Sequence, residues 1–115
     1  MPDPYYAIDR QADAGGSTVL RLTGELDINA RDDVRAAILD AVAAGNDVRV
    51  DLGEVEFLDS EALSALIEGY RAATEAGRRF AVVNAGGPVS HVLRVSGALE
   101  VFERPTDAER QRPPA

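Results

Sequence analysis

A serine flanked by two acids, Asp59-Ser60-Glu61, sits where the stretch VEFLDSEALSALIEGY changes from an extended apolar rhythm to a helical one. A hydroxyl at such a joint can do two things. As an N-cap it accepts a hydrogen bond from an amide of the first helical turn, a job at which serine is among the best residues and which Asp59 can also do. As an exposed nucleophile it can take up a phosphoryl group, because the dipole and free amides of a helix N-terminus favour an anion by about 0.3 to 2 kcal/mol. The two roles are compatible.

Other constellations carry less chemistry. Ser60, His91 and several aspartates supply the residue types of a hydrolase triad. His91, however, lies between the apolar Val89 and Val92 on what reads as a solvated face, and no G-x-S-x-G elbow is present. Gly86-Gly87 lacks the lysine and the length of a phosphate-binding loop and reads as a turn. Asp32-Asp33 and Glu54 with Glu56 lack the spacing of a calcium loop and read as solvated acids. Cysteine is absent, which excludes disulfides, thiolate metal sites and thiol nucleophiles. The expectation is a protein that is not an enzyme and uses neither metal nor cofactor.

The elements that must position Ser60 can be read from periodicity. YYAID (5–9) reads as an edge strand, and ADAGGS (12–17) as the turn leading to TVLRLTGEL (18–26). That second strand alternates Leu20, Leu22 and Leu26 against Arg21, Thr23 and Glu25. Asn29, with Asp32 three residues on, marks a helix start. Val34, Ala37, Ile38, Ala41 and Val42 continue that helix until Gly45. DVRVDL (47–52) is a one-faced strand. From Ser60, Leu63, Leu66, Ile67, Tyr70 and Ala73 form a helical stripe ending near Gly77. FAVVNA (80–85) has the composition of a strand covered on both faces, Pro88 suits the first turn of a third helix, and LEVF (99–102) reads as a last strand. The fold class predicted is α/β: a small mixed sheet, opened by an antiparallel hairpin and continued by parallel strands with helical crossovers.

Function in such a sheet gathers outside the carboxyl ends of the parallel strands. Loops leave that edge at GELD (24–27), FLDSEAL (57–63) and NAGGP (84–88), so Asp27, Ser60 and the Gly86-Gly87 turn are expected on one rim.

The 115 residues suit one domain, expected to span 1–104, with a flexible tail over 105–115 in which Thr106 and Glu109 have capping-box spacing. The formal net charge is −8, which repels phosphate backbones and anionic lipid and argues against nucleic-acid or membrane docking. All cationic side chains are arginine. No apolar run has the length of a membrane span and MPDPYY is unlike a signal peptide, so a cytoplasmic protein is expected.

RLTGELD (21–27), followed by a helix, a one-faced strand and VEFLDSEAL (55–63), resembles the STAS domains, in particular the anti-sigma-factor antagonists of bacteria. HVLRVSGALEVF (91–102) is similar to the family's closing segment, and the likeness runs from about Tyr5 to Phe102. The resemblance implies a partner that is both an anti-sigma factor and a serine kinase, and a phosphatase that reverses its action; the chain itself is expected to be a monomer or weak dimer. It implies phosphorylation at Ser60, with Asp59 as the motif aspartate and Asp27 as the acid of the neighbouring loop. The motif is usually D-S-S-G or D-S-T-G, and here Glu61 and Ala62 occupy its last two positions. Glu61, and the small Ala62 and Ala65 along the helix start, complete the expected partner-binding set. Two other readings fit a STAS fold: a cytosolic accessory subunit docked on the ATPase of a transport system, and a regulatory module that works without phosphorylation.

Overall fold

Eight elements follow one another in the computed structural model, which describes residues 5–103. They are β1 (Tyr6–Ala12), β2 (Thr18–Leu26), α1 (Ile28–Ala43), β3 (Val48–Leu58), α2 (Ser60–Glu75), β4 (Phe80–Val83), α3 (Gly87–Val95) and α4 (Ala98–Glu103). The strands form one sheet in the order β1-β2-β3-β4. β1 runs antiparallel to β2, while β2–β3 and β3–β4 are parallel, so each of the parallel pairs is bridged by a crossover helix. The mixed α/β sheet matches the sequence prediction. The tail from 105 onward, with Thr106 and Glu109, lies outside the described residues.

Alternation in β2 works as read: Leu20, Leu22 and Leu26 are buried, and Arg21, Thr23 and Glu25 are exposed on the other face. β3 is longer than its apolar alternation suggests, because strict alternation holds only through Val48, Val50 and Leu52. The next buried positions are Val55 and Leu58, each three residues on. The register shows why. The pairing with β2 slips between Arg21 and Thr23 and again between Gly24 and Glu25, so that β3 carries an extra residue at each slip. Such bulges bend a strand and re-aim its side chains. Gly24 sits at the second slip with φ +90°, and a Cβ there would lie 2.1 Å from the Tyr5 carbonyl oxygen. Only glycine fits both the dihedral and the space.

Two expectations are corrected. β4 is not covered on both faces: it is a four-residue edge strand whose Ala81, Val82 and Val83 are only partly buried. Residues 99–102 are not a strand but part of α4. Ala98 and Phe102, four residues apart, are its buried positions, and the Phe102 ring meets Tyr70 of α2 and Phe80 of β4 at centroid distances of 6.1 and 5.7 Å. A short apolar run carries no periodicity long enough to separate the two conformations, and this aromatic contact selects the helix.

Helices α1 and α2 pack closely where Gly69 meets Ile38; a Cβ at Gly69 would lie 2.6 Å from Ile38 Cγ2. On the far side of the sheet, Asp51 Oδ1 accepts the Gly53 amide at 2.9 Å and so closes the first bulge. That bond chiefly holds the Asp51 carboxyl below the usual carboxylate range; burial opposes it, and Asn84 and Arg21 add to it.

Gly69→Ala should destabilise the domain by about 1 to 2 kcal/mol, overpacking exceeding the gain in helix propensity. The Gly69→Ala/Ile38→Ala double variant should lose less than the sum of the two single losses in urea melts. Because the Asp51 value is depressed on folding, its stabilisation is full above the unfolded value near 3.9 and is lost as pH falls through the folded one. Asp51→Asn should therefore be less stable than the parent at pH 7, and the gap between their urea midpoints should narrow below about pH 4.

Candidate functional site

Two helices begin side by side at the carboxyl edge of β2 and β3. Leu26 pairs with Leu58 at the end of the parallel ladder, and the Asp59 amide then donates to the Leu26 carbonyl at 3.0 Å. Asp27 and Asp59 follow directly on these strands, and each is the N-cap of the next helix. Asp27 Oδ1 accepts the Asn29 amide at 2.9 Å. Asp59 Oδ1 accepts the amides of Glu61 and Ala62, both at 3.0 Å.

The caps settle two sequence expectations. α1 is capped by Asp27 and not by Asn29, which lies inside the first turn. α2 is capped by Asp59, so Ser60 is the first helical residue, exposed, with its hydroxyl outside the cap. The aspartate, one bond longer than serine, reaches two amides at once. Ser60 thus carries no part of the structural duty that sequence alone assigns to it as readily as to Asp59.

Glu61 points across the seam between the helices. Its Oε2 accepts Arg31 Nη1 at 2.9 Å, and Arg31 Nε reaches Asp32 Oδ1 at 3.2 Å. These bonds, Glu61 first, raise the Arg31 pKa above its ordinary value. Both partners are partly solvated, with side chains 40 % and 43 % exposed. Nearby, Tyr6 of β1 donates its hydroxyl to Asp33 Oδ2, which raises the tyrosine pKa and ties the edge strand to α1.

Large apolar side chains also stand open at this edge. Phe57, opposite Glu25 in the register, is 50 % exposed, and Ile28, the first residue of α1, is 55 % exposed. The bulged end of β3 leaves Phe57 outward between the inward Val55 and Leu58. Sequence reasoning missed Phe57, Ile28 and Arg31. No local signal marks a bulge or a seam; the one available hint was that VEFL breaks the alternation of the preceding strand.

Other expected site residues fall elsewhere. Ala62 and Ala65 are fully buried and cannot offer a surface to a partner. With Gly69 they lie at i, i+3 and i+7 on one face of α2, and the neighbour they admit closely is within the fold, as Gly69 meeting Ile38 shows. The strand leading to the Gly86-Gly87 turn ends at a lower level of the sheet than those leading to Asp27 and Ser60. β4 ends opposite Asp51, well short of the end of β3, and the Asn84 Cβ lies 3.4 Å from where a Cβ on Gly53 would stand. His91 is exposed on α3. Among the described residues no group of three or more metal-ligating side chains could hold an ion, and no helix is long and apolar enough to cross a membrane.

A family model described as "Mlab, STAS domain" matches residues 10–102. A curated anti-sigma F factor antagonist of Paenibacillus polymyxa is 28 % identical over 89 residues, which cover 76 % of this chain and 76 % of that one. The crystal structure of an anti-sigma factor antagonist from Mycobacterium paratuberculosis is 27 % identical, with a TM-score of 0.76 over 90 % of this chain and 88 % of that one. The Bacillus cell fate determinant SpoIIAA, solved in its phosphorylated form, shares the fold at 24 % identity and a TM-score of 0.67, over 84 % of this chain and 87 % of its own.

The division of labour at the α2 start is open to a direct check. Asp59→Ala should cost about 1 to 2 kcal/mol in thermal or urea unfolding, the value of a helix cap. Ser60→Ala should stay within about 0.5 kcal/mol of the parent. A reversal of that order would return the cap to Ser60.

Proposed function

The chain belongs to the STAS domain family, and from that premise we propose that it is an anti-sigma-factor antagonist whose binding to an anti-sigma factor with serine-kinase activity is ended by phosphorylation of Ser60. The observation that carries the reading is the exposed residue Ser60 at the head of α2, relieved of the cap by Asp59. The similarity to anti-sigma factor antagonists supplies the class of partner.

In the transfer, Ser60 Oγ bonds to the γ-phosphorus of ATP and the bond from that phosphorus to the β–γ bridging oxygen breaks. ADP leaves, and the hydroxyl proton passes to a base of the kinase. The product carries about −1.5 to −2 charges at neutral pH. Within the free domain the N-terminus of α2 offsets part of that charge, and no core side chain moves to admit it, so the fold persists.

At a docked surface the balance is different. Phe57 and Ile28 are the apolar side chains that a partner would cover, and Asp27 and Asp59, with Glu61 paired to Arg31, make the rim beside Ser60 acidic. A phosphate enclosed there would lose water with acids as neighbours. The arginine at this rim is already paired with Glu61, so an added anion leaves one acid there without a cation; at about 3 to 5 kcal/mol for an unpaired buried charge, the modification weakens docking by roughly two to three decades. The interface term exceeds the helix-terminus term, and the switch acts on binding and leaves folding alone.

Incubation with anti-sigma kinases and ATP should place one phosphate on Ser60, read by mass spectrometry and lost in Ser60→Ala. Ser60→Asp should weaken kinase binding by at least about tenfold while the melting temperature changes by no more than about 2 °C. Phe57→Ala should also weaken binding without unfolding the domain. No transfer from any such kinase, together with copurification on a transporter ATPase, would replace this reading with that of a transport accessory subunit.

A further inference from the structure

We propose that Arg31 is the intramolecular receptor for a phosphate on Ser60, and that Glu61 occupies its guanidinium until the phosphate arrives. The inference rests on the reading that Ser60 is the modified residue, and it concerns what this chain does with the group once attached.

The geometry begins at the seam. Arg31 lies one turn into α1, and its guanidinium crosses to Glu61, the residue that follows Ser60 on α2. The other charged groups at the two helix starts are acids: Asp27 and Asp59 at the caps, Asp32 beside Arg31 on α1, and Glu61 beside Ser60 on α2. The next arginine along α1, Arg35, is engaged with Glu68 at 3.4 Å, one turn further from the helix starts. On the outer face of the sheet Arg21 is paired with Asp51 at 3.7 Å. Arg31 is therefore the cation placed to answer a new anion at residue 60.

The exchange follows from the chemistry of the two acceptors. The Arg31–Glu61 pair is about two-fifths exposed on each side, and such pairs hold their geometry weakly. A phosphate brings higher charge and three acceptor oxygens, and the planar fork of arginine engages it through two parallel hydrogen bonds. Successive residues of a helix differ by about 100° in direction, so the guanidinium must swing from the Glu61 side of α2 toward its solvent side. The long, half-solvated side chain of Arg31 is free to make that turn. Glu61 is then released to solvent.

This gives Glu61 a purpose where the family motif usually has a hydroxyl residue. In the unmodified chain it is neutralised by Arg31; in the modified chain it stands unpaired beside a phosphate that has taken its partner. One covalent event changes two groups on the docking rim.

The test installs phosphoserine at position 60 by genetic encoding, so that no kinase is needed. The second ionisation of the phosphate, ordinarily near 6, is followed by 31P NMR titration in the otherwise unaltered chain and in Arg31→Gln, Arg31→Lys and Glu61→Gln. The parent should titrate lower than Arg31→Gln by about 0.5 to 1 unit, as a neighbouring cation favours the dianion. Arg31→Lys should fall between them, and Glu61→Gln should titrate lowest. Equal melting temperatures of the unphosphorylated variants verify that each is folded. Coincident titrations for the parent and Arg31→Gln would overturn the proposal. Failure of every kinase to modify Ser60 would overturn the functional reading instead, and would leave this titration unchanged.

Discussion

The last rung between β2 and β3 governs the rest of the molecule. With Leu26 opposite Leu58 and the Asp59 amide bonded to the Leu26 carbonyl, the two strands end together. Whatever follows each strand must then begin at the same place. Both continuations are an aspartate and then a helix, so two capped helix starts stand in parallel at one edge. The Arg31–Glu61 bridge and the closeness of Asp27 to the Ser60 turn are consequences of that alignment. A register slip of one residue would turn every inward side chain of β3 outward.

That alignment is itself made possible by irregularity. β2 reaches the edge by regular alternation, whereas β3 reaches it with two extra residues. Without the bulges, Val55 and Leu58 could not both face the core with Leu52. Gly24 allows the neighbouring backbone to follow, since any side chain there would strike the Tyr5 carbonyl. The cost of the irregular pairing is a ladder with missing bonds. Its product is an outward Phe57, half exposed, two residues before Asp59.

At the head of α2 the capping duty rests on Asp59 and not on its neighbour Ser60. Asp59 satisfies two amides that would otherwise be orphaned, and this leaves the Ser60 hydroxyl without structural work. On the proposed reading, the modified group stands where the fold does not depend on it. Were Ser60 the cap, esterification would remove a stabilising bond at the moment it added charge, and a change in binding could not be separated from a change in stability.

Sequence patterning alone determined the class of fold, the change from strand to helix between Leu58 and Ser60, the acidity of the surface and the family resemblance, because periodicity, turn chemistry and charge are properties of neighbours along the chain. It misjudged what depends on neighbours in space. Asp59 and Ser60 are both good caps, and only the observed backbone entry, extended at Asp59, decides between them. Ala62 and Ala65 look like a small, approachable surface until α1 is laid against them, and LEVF fits a strand until Tyr70 and Phe80 offer Phe102 a place. Arg31 has no sequence mark at all. Its contact with Glu61 exists because two strands far apart in the chain end level, and the side chain that meets Glu61 across that seam is chosen by packing.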